Sequence, residues 1–294
     1  MALRGTKPTS VGKRLKTLFF GVPGSGKTTA AIQFPRPYLI DTERGAEREQ
    51  YTRLLNERDG AYLFEPTFDG LLTEVNALLT EKHPYQTVII DPLTVVYNEM
   101  LDRSAEENGT EFGRHKIGPD RKVKRLLHML LRLDMNVIIT SHAKGNWVQT
   151  KDAKGKDVAV QQGMTFDCYN KLDYLFDLVF EVGRRGKDRV GTVRKTRVEG
   201  FAEGEVFPFS YDEIANRYGR PELERDAVPE ELATREQAAE ADRLAKLLNI
   251  DPDMLDKWFT KAQASTWGEF SRANIEKAIA YMKSRVEQKD EVTK

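Results

Sequence analysis

Residues 21 to 28 read Gly21-Val22-Pro23-Gly24-Ser25-Gly26-Lys27-Thr28, a G-x-x-x-x-G-K-[ST] loop, and this octapeptide constrains the fold more than any other stretch of the chain. The apolar run Leu18-Phe19-Phe20 precedes it, and Thr29-Ala30-Ala31-Ile32, of good helix-forming composition, follows it. Such a loop works between a buried strand and a helix, where its backbone N–H groups converge on an anion at the sheet edge. Gly21, Gly24 and Gly26 let the backbone approach phosphate oxygens where a Cβ would clash, with Pro23 and Ser25 completing the turn. Lys27 is placed to reach the β/γ-phosphates, Thr28 to set its hydroxyl on Mg²⁺, and Thr29 to contact the α-phosphate more loosely. ATP and Mg²⁺ are the ligands this spacing implies.

The first 200 or so residues alternate short apolar runs with helical patterns. Strands are expected over 17–20, 38–41, 62–64, 87–91, 137–140, 178–182 and 190–195, and helices over 27–33, 47–56, 68–81, 93–104, 120–134 and 166–176. That alternation predicts an α/β core with a mostly parallel sheet covered on both faces. The last two strands, joined through Gly186, read as an antiparallel hairpin at one edge. Residues 106–119 and 144–163, rich in charge and glycine without apolar periodicity, are expected to be mobile surface loops. Composition shifts at Tyr218-Gly219-Arg220-Pro221, and helices follow at 230–248, 251–262 and 273–286. The expected organisation is a core over 1–218, a linker over 219–228 and a small helical module over 229–294. Leu255, Trp258, Phe259, Trp267, Phe270, Ile275, Ile279 and Met282 would form the core of that module.

Forty-six basic residues balance 46 acidic ones, so the total charge argues neither for nor against nucleic acid. The distribution is uneven: Arg114 to Arg125 carries six Lys/Arg and one Asp, and Arg184 to Arg197 carries seven and one. No apolar run approaches the ~18 residues of a membrane span, and the N-terminal residues show no signal-peptide core. A soluble chain without membrane association, cytoplasmic in its cell, is therefore expected. Cys168 is the only cysteine, which excludes an internal disulfide.

A phosphate loop needs a second cation-holding element. Thr87-Val88-Ile89-Ile90-Asp91 supplies it, an apolar strand ending in a carboxylate that can hold Mg²⁺ through water. Hydrolysis also needs a group to activate water. Beyond the strand Tyr38-Leu39-Ile40-Asp41, Glu43 is the expected general base, and Asp41 the residue that fixes the following turn. The strand 136–140 ends in Ser141-His142, where a polar group can sense the terminal phosphate and pass its state to the adjoining loop; a plain structural histidine is the other reading.

In order along the chain, Gly21–Thr28, Leu39-Ile40-Asp41-Thr42-Glu43, Val88-Ile89-Ile90-Asp91, Ile138-Ile139-Thr140-Ser141-His142 and Arg194-Lys195-Thr196-Arg197 resemble the RecA/recombinase ATPase core. More closely, the set is similar to the short phage-encoded RecA-core proteins known as phage nucleotide-binding proteins, some of which are single-strand annealing recombinases. The resemblance spans residues 14–212. It implies a RecA-like P-loop fold and an ATPase of homologous recombination or strand annealing, with single-stranded DNA as partner and ATP at subunit interfaces of a homo-oligomeric filament or ring. A phage protein of this kind would work in the cytoplasm of a bacterial host. Glu43 falls at the family's catalytic glutamate, Asp91 at its metal-associated aspartate, and His142 where RecA proper has a glutamine. Lys195 and Arg197 match the basic pair that reaches a neighbour's ATP; edge-strand charges opposing aggregation are the alternative. The loops after Asp91 and His142 correspond to the family's DNA-binding loops. The second offers Lys144, Asn146, Trp147, Lys151, Lys154 and Lys156, cations for phosphates with an aromatic face for a base, and the first offers Arg114 and Lys116. The C-terminal module faintly resembles tails of other phage recombination proteins, which implies a single-strand-binding protein as a possible partner.

Three other readings stay open on the sequence. One is an oligomeric ATPase of the helicase-loader type with a C-terminal lid, for which Arg272 is the best lid arginine. A second is a small-molecule phosphotransferase, whose lid would need arginine forks where 144–163 offers only lysines. The third is a nucleotide-gated DNA-binding protein with little turnover.

Overall fold

The computed structural model describes residues 12–151 and 156–292. In chain order the elements are β1 (Lys16–Gly21), α1 (Lys27–Ile32), β2 (Pro37–Asp41), α2 (Glu49–Glu57), β3 (Ala61–Phe64), α3 (Phe68–Thr80), β4 (Thr87–Asp91), α4 (Leu93–Asn108), α5 (Arg114–Arg132), β5 (Asn136–Lys151), β6 (Asp157–Phe166), α6 (Leu172–Leu175), β7 (Leu178–Arg185), β8 (Asp188–Thr196), β9 (Val206–Pro208), α7 (Tyr211–Tyr218), α8 (Arg220–Glu224), α9 (Arg235–Leu247), α10 (Pro252–Ala262) and α11 (Arg272–Val292). The sheet runs β3-β2-β4-β5-β1-β7-β8-β9, parallel from β3 to β7 and antiparallel beyond, with β6 paired, among the described residues, to β5 alone. Strand β5 is thus inserted between the phosphate-loop strand β1 and the Asp91 strand β4. This is the RecA-like P-loop arrangement, a mixed α/β fold with an edge hairpin and C-terminal helices.

Period-two alternation along the buried strands separates two cores. Leu18, Phe20, Val88, Ile90, Val137 and Ile139 face α3, α4 and α5, while Phe19, Ile89 and Ile138 face α1 and α7. At the amino ends of the strands, Lys16 is buried and donates from Nζ to Leu130 O (3.0 Å), Leu133 O (2.8 Å) and Met135 O (2.9 Å), joining β1 to the end of α5.

Several elements differ from the sequence expectation. Most of the described residues of 144–163 are strand rather than loop: β5 outruns its parallel partners after His142 and continues with β6 as an antiparallel ribbon, Val148 opposite Val160 and Thr150 opposite Val158. The β-branched alternation there is interrupted by lysines and glycines, which hid the period. Residues 106–119 are mostly helical, since α4 extends to Asn108, where Gly109 closes it (φ 69°), and α5 starts at Arg114. No helix spans 166–176; β6 runs through Phe166, Asp167 N donates to His142 O at 2.8 Å, and only the short α6 follows.

The residues read as a linker are strapped to the sheet. Arg14, 4% exposed, donates to the carbonyls of Glu222, Leu223, Arg225 and Asp226, and Asn136 Nδ2 donates to Leu223 O at 2.8 Å. Helix α9 starts at Arg235 rather than 230 because Thr234 and Gln237 form a reciprocal capping box. Residues 231–233 instead bridge to 270–272. Ala241, Leu244, Trp267, Phe270, Ile275 and Met282 form a third core, with Leu255, Trp258, Phe259 and Ile279 packed on it. Arg132 ties these helices to α5, donating to Glu230 Oε2 at 2.9 Å and to Glu269 O. Among the described residues no helix is long and apolar enough to cross a membrane.

Candidate functional site

A cavity of about 680 Å³ opens at the carboxyl ends of the strands, lined by Pro23, Gly24, Gly26, Lys27, Thr28, Thr29, Glu43, Asp91, Pro92, His142, Gln50, Tyr51, Arg184 and Arg189 among others. The loop between β1 and α1 supplies its floor. Gly24 (φ 76°) and Gly26 (φ 92°) adopt left-handed backbone that favours glycine, and a Cβ on Gly21 would lie 2.2 Å from Val182 O. The Lys27 ammonium donates to Gly21 O (2.9 Å) and Val22 O (3.3 Å), lying across the loop mouth. Burial holds its pKa below the usual lysine value, opposed by the charges of Asp91 and Glu43. Ser25 Oγ is buried without a partner among the described residues.

Asp91 ends β4 beside this loop. Its carboxylate accepts hydrogen bonds from Thr140 Oγ1 and from Thr28. Burial is the largest influence and raises its pKa, while the two hydroxyls and Lys27 act the other way. A carboxylate and a threonine hydroxyl placed together, in a pocket where the carboxylate's charge is disfavoured, form a donor set suited to a hard divalent cation, which would hold Asp91 ionised. Glycines shaped for close approach, an orphaned hydroxyl and convergent cations likewise suit a polyphosphate. The residues therefore fit ATP and Mg²⁺.

Glu43 and His142 face each other across the cavity, Oε2 to Nε2 at 3.4 Å, each partly exposed. Asp41 is what places Glu43. It is buried and accepts from the backbone N–H groups of Glu43 (3.0 Å), Gly45 (3.3 Å) and Ala46 (2.8 Å), fixing the turn after β2. His142 is positioned by its own N–H, which donates to Thr94 Oγ1 at 3.0 Å, and Thr94 in turn bonds Ser141 Oγ at 3.0 Å.

Other residues singled out in the sequence lie elsewhere. Lys195 and Arg197 sit at the end of β8 remote from the cavity: Lys195 donates to Phe176 O (2.7 Å) and Asp173 O, and Arg197 to Tyr174 O. Within one chain neither reaches the phosphate loop. On the ribbon, Trp147 is 64% exposed, Lys151 and Lys156 are exposed, Lys144 pairs with Asp167 at 3.0 Å, and Asn146 Nδ2 donates to Gln162 O at 3.4 Å. Lys154 lies outside the described residues. Arg114 and Lys116 are exposed on the first turn of α5, next to Phe112, which is 98% exposed.

The sequence reading missed Tyr51 of α2 and, above all, Arg184 and Arg189 of the β7–β8 hairpin, all lining the cavity. The available signal was the basic cluster from Arg184 onward, next to a two-residue turn that sets Arg184 opposite Arg189.

The chain is similar to the DNA repair and recombination protein RadB of Methanothermobacter thermautotrophicus, 26% identical over 214 residues that cover 66% of this chain and 85% of that protein. A solved crystal structure of the RadB recombinase matches with a TM-score of 0.44 and 20% identity, over 68% of this chain and 88% of the other. A family model described as an AAA domain matches residues 13–205, well over half of the sequence, and the chain belongs to that AAA-domain family.

Proposed function

We propose that this protein is a Mg-ATP-dependent ATPase that binds single-stranded DNA and acts in homologous recombination or strand annealing. One observation carries the reading: β5 is a single strand that first borders the nucleotide cavity, through Thr140 on Asp91 and His142 on Glu43, and then continues into the ribbon that exposes Trp147, Lys151 and Lys156. A shift at His142 has a direct covalent path to a surface with an aromatic face and cations, the combination that single strands bind. The likeness to a protein named for DNA repair and recombination supports the same assignment.

In this reading the loop N–H groups and Lys27 bind the phosphates, and Thr28 with Asp91 holds the cation. Glu43 takes the proton of the attacking water, with His142 keeping its carboxylate turned into the cavity. Bound Mg-ATP supplies an electrophilic terminal phosphoryl group whose developing charge the cation offsets. Lys195 and Arg197 act on the nucleotide of a neighbouring subunit in a homo-oligomer, which requires them to leave the carbonyls they hold around α6. The C-terminal helices offer a surface for a single-strand-binding protein. The test is steady-state ATP hydrolysis with and without single-stranded DNA over a range of protein concentrations. Stimulation by DNA, rising more steeply than linearly with protein, is expected; hydrolysis indifferent to both would remove DNA and assembly from the mechanism.

A further inference from the structure

In the β7–β8 hairpin, Arg184 and Arg189 are directly opposite one another, so their side chains leave the same face. Like charges in that position destabilise an antiparallel pair. The next pair, Arg185 opposite Asp188 on the other face, is complementary. The hairpin therefore sets two cations together on the face that meets the phosphate loop. Arg184 Nε donates to Gly24 O at 3.0 Å. The Arg189 guanidinium lies on Gly26 so closely that a Cβ there would fall 2.5 Å from its Nε, and that Nε is buried without a hydrogen-bond partner among the described residues. The titratable groups acting on Arg189 are Arg184 and Tyr51, with no carboxylate among them, and burial holds its pKa below the ordinary arginine value.

We propose that Arg184 and Arg189 form a clamp for the polyphosphate of a nucleotide held in the same subunit, supplying guanidinium forks that Lys27 alone cannot. The inference rests on the nucleotide reading of the cavity and deepens it. Two facing cations beside a third, Lys27, make an anion site whose occupant relieves their mutual repulsion, and arginine engages phosphate with paired, directional donors. The clamp acts in cis, unlike Lys195 and Arg197, so nucleotide capture by this route does not depend on assembly.

The test compares full-length wild type with Arg184→Gln, Arg189→Gln and, as control, Lys27→Ala. Equilibrium binding is measured for ATP, for inorganic tripolyphosphate and for adenosine, together with the melting temperature with and without ATP. Each arginine variant is expected to weaken ATP and tripolyphosphate binding roughly tenfold or more while leaving adenosine unchanged. Without ligand its melting temperature should hold or rise as the like-charge pair is lost, and the ATP-induced shift should shrink. If either variant melts lower without ligand yet binds ATP as wild type does, the arginines only brace the loop and the clamp is wrong. Wild type and Lys27→Ala alike failing to bind ATP would instead remove the nucleotide reading itself.

Discussion

Glu43 stands on a turn fixed by three backbone N–H groups on Asp41, with His142 3.4 Å from its carboxylate, so the place of the turn does not depend on the Glu43 side chain. Glu43→Gln keeps that position and removes the base. The expected outcome is a fall in kcat of about 10²- to 10⁴-fold with ATP affinity retained, read by steady-state hydrolysis beside an equilibrium binding isotherm. Unchanged turnover would make the protein a nucleotide-gated binder instead. At this scale the residues that line the cavity were readable wherever chemistry fixes residue type at short range: Gly24, Gly26, Lys27 and Thr28 within one loop, Asp91 at the end of one apolar strand and Glu43 just past another. Arg184 and Arg189 were not, because their meeting with Gly24 and Gly26 depends on the register of a hairpin some 160 residues away in sequence.

Strand β5 joins two environments, and its two halves behave differently. Through Ser141 it is buried, with β1 on one side and β4 alongside as far as Ile139; from Ala143 it pairs, among the described residues, only with β6. A two-stranded ribbon is marginal alone, and this one is tied down at its base by Phe166 against Phe20, ring centroids 6.3 Å apart, and by the Lys144–Asp167 pair. Trp147, beyond those ties, is free to stack. Trp147→Ala is expected to weaken single-stranded DNA binding by about 1–3 kcal/mol, measured by anisotropy of a labelled oligonucleotide, with ATP binding unaffected. Equal DNA affinity in the variant would move the DNA surface to Arg114, Lys116 and exposed Phe112 on the α4–α5 turn. The parallel strands were legible because burial on both faces leaves unbroken apolar runs such as Val88-Ile89-Ile90. The ribbon was not, because neither face is deeply buried and lysines therefore replace the apolar positions that mark a period of two.

Across the whole molecule, the two ends of the sheet have opposite chemistry of burial: the carboxyl edge gathers charged groups around an open cavity, and the amino edge buries charge on the protein itself. Lys16 is the clearest case of the latter. Its ammonium meets three carbonyls at the end of α5, where the helix dipole also favours a cation, yet complete burial dominates and pushes its pKa down to about 7; Asp134 and Asp177 oppose the shift, and Arg14 and Arg225 reinforce it. In the unfolded chain this lysine titrates near 10.5. Between those values the unfolded state holds a proton that the folded state does not, so stability rises with pH through this window. Below about pH 7 both states are protonated and the penalty is constant, and above 10.5 both are neutral and it is gone. Urea unfolding at a series of pH values should show wild type gaining stability from pH 7 to pH 10 relative to Lys16→Met, with a differential slope approaching ~1.4 kcal/mol per pH unit. Parallel curves for the two proteins would show that the three carbonyls keep Lys16 charged in the fold, and that its hydrogen bonds outweigh its desolvation.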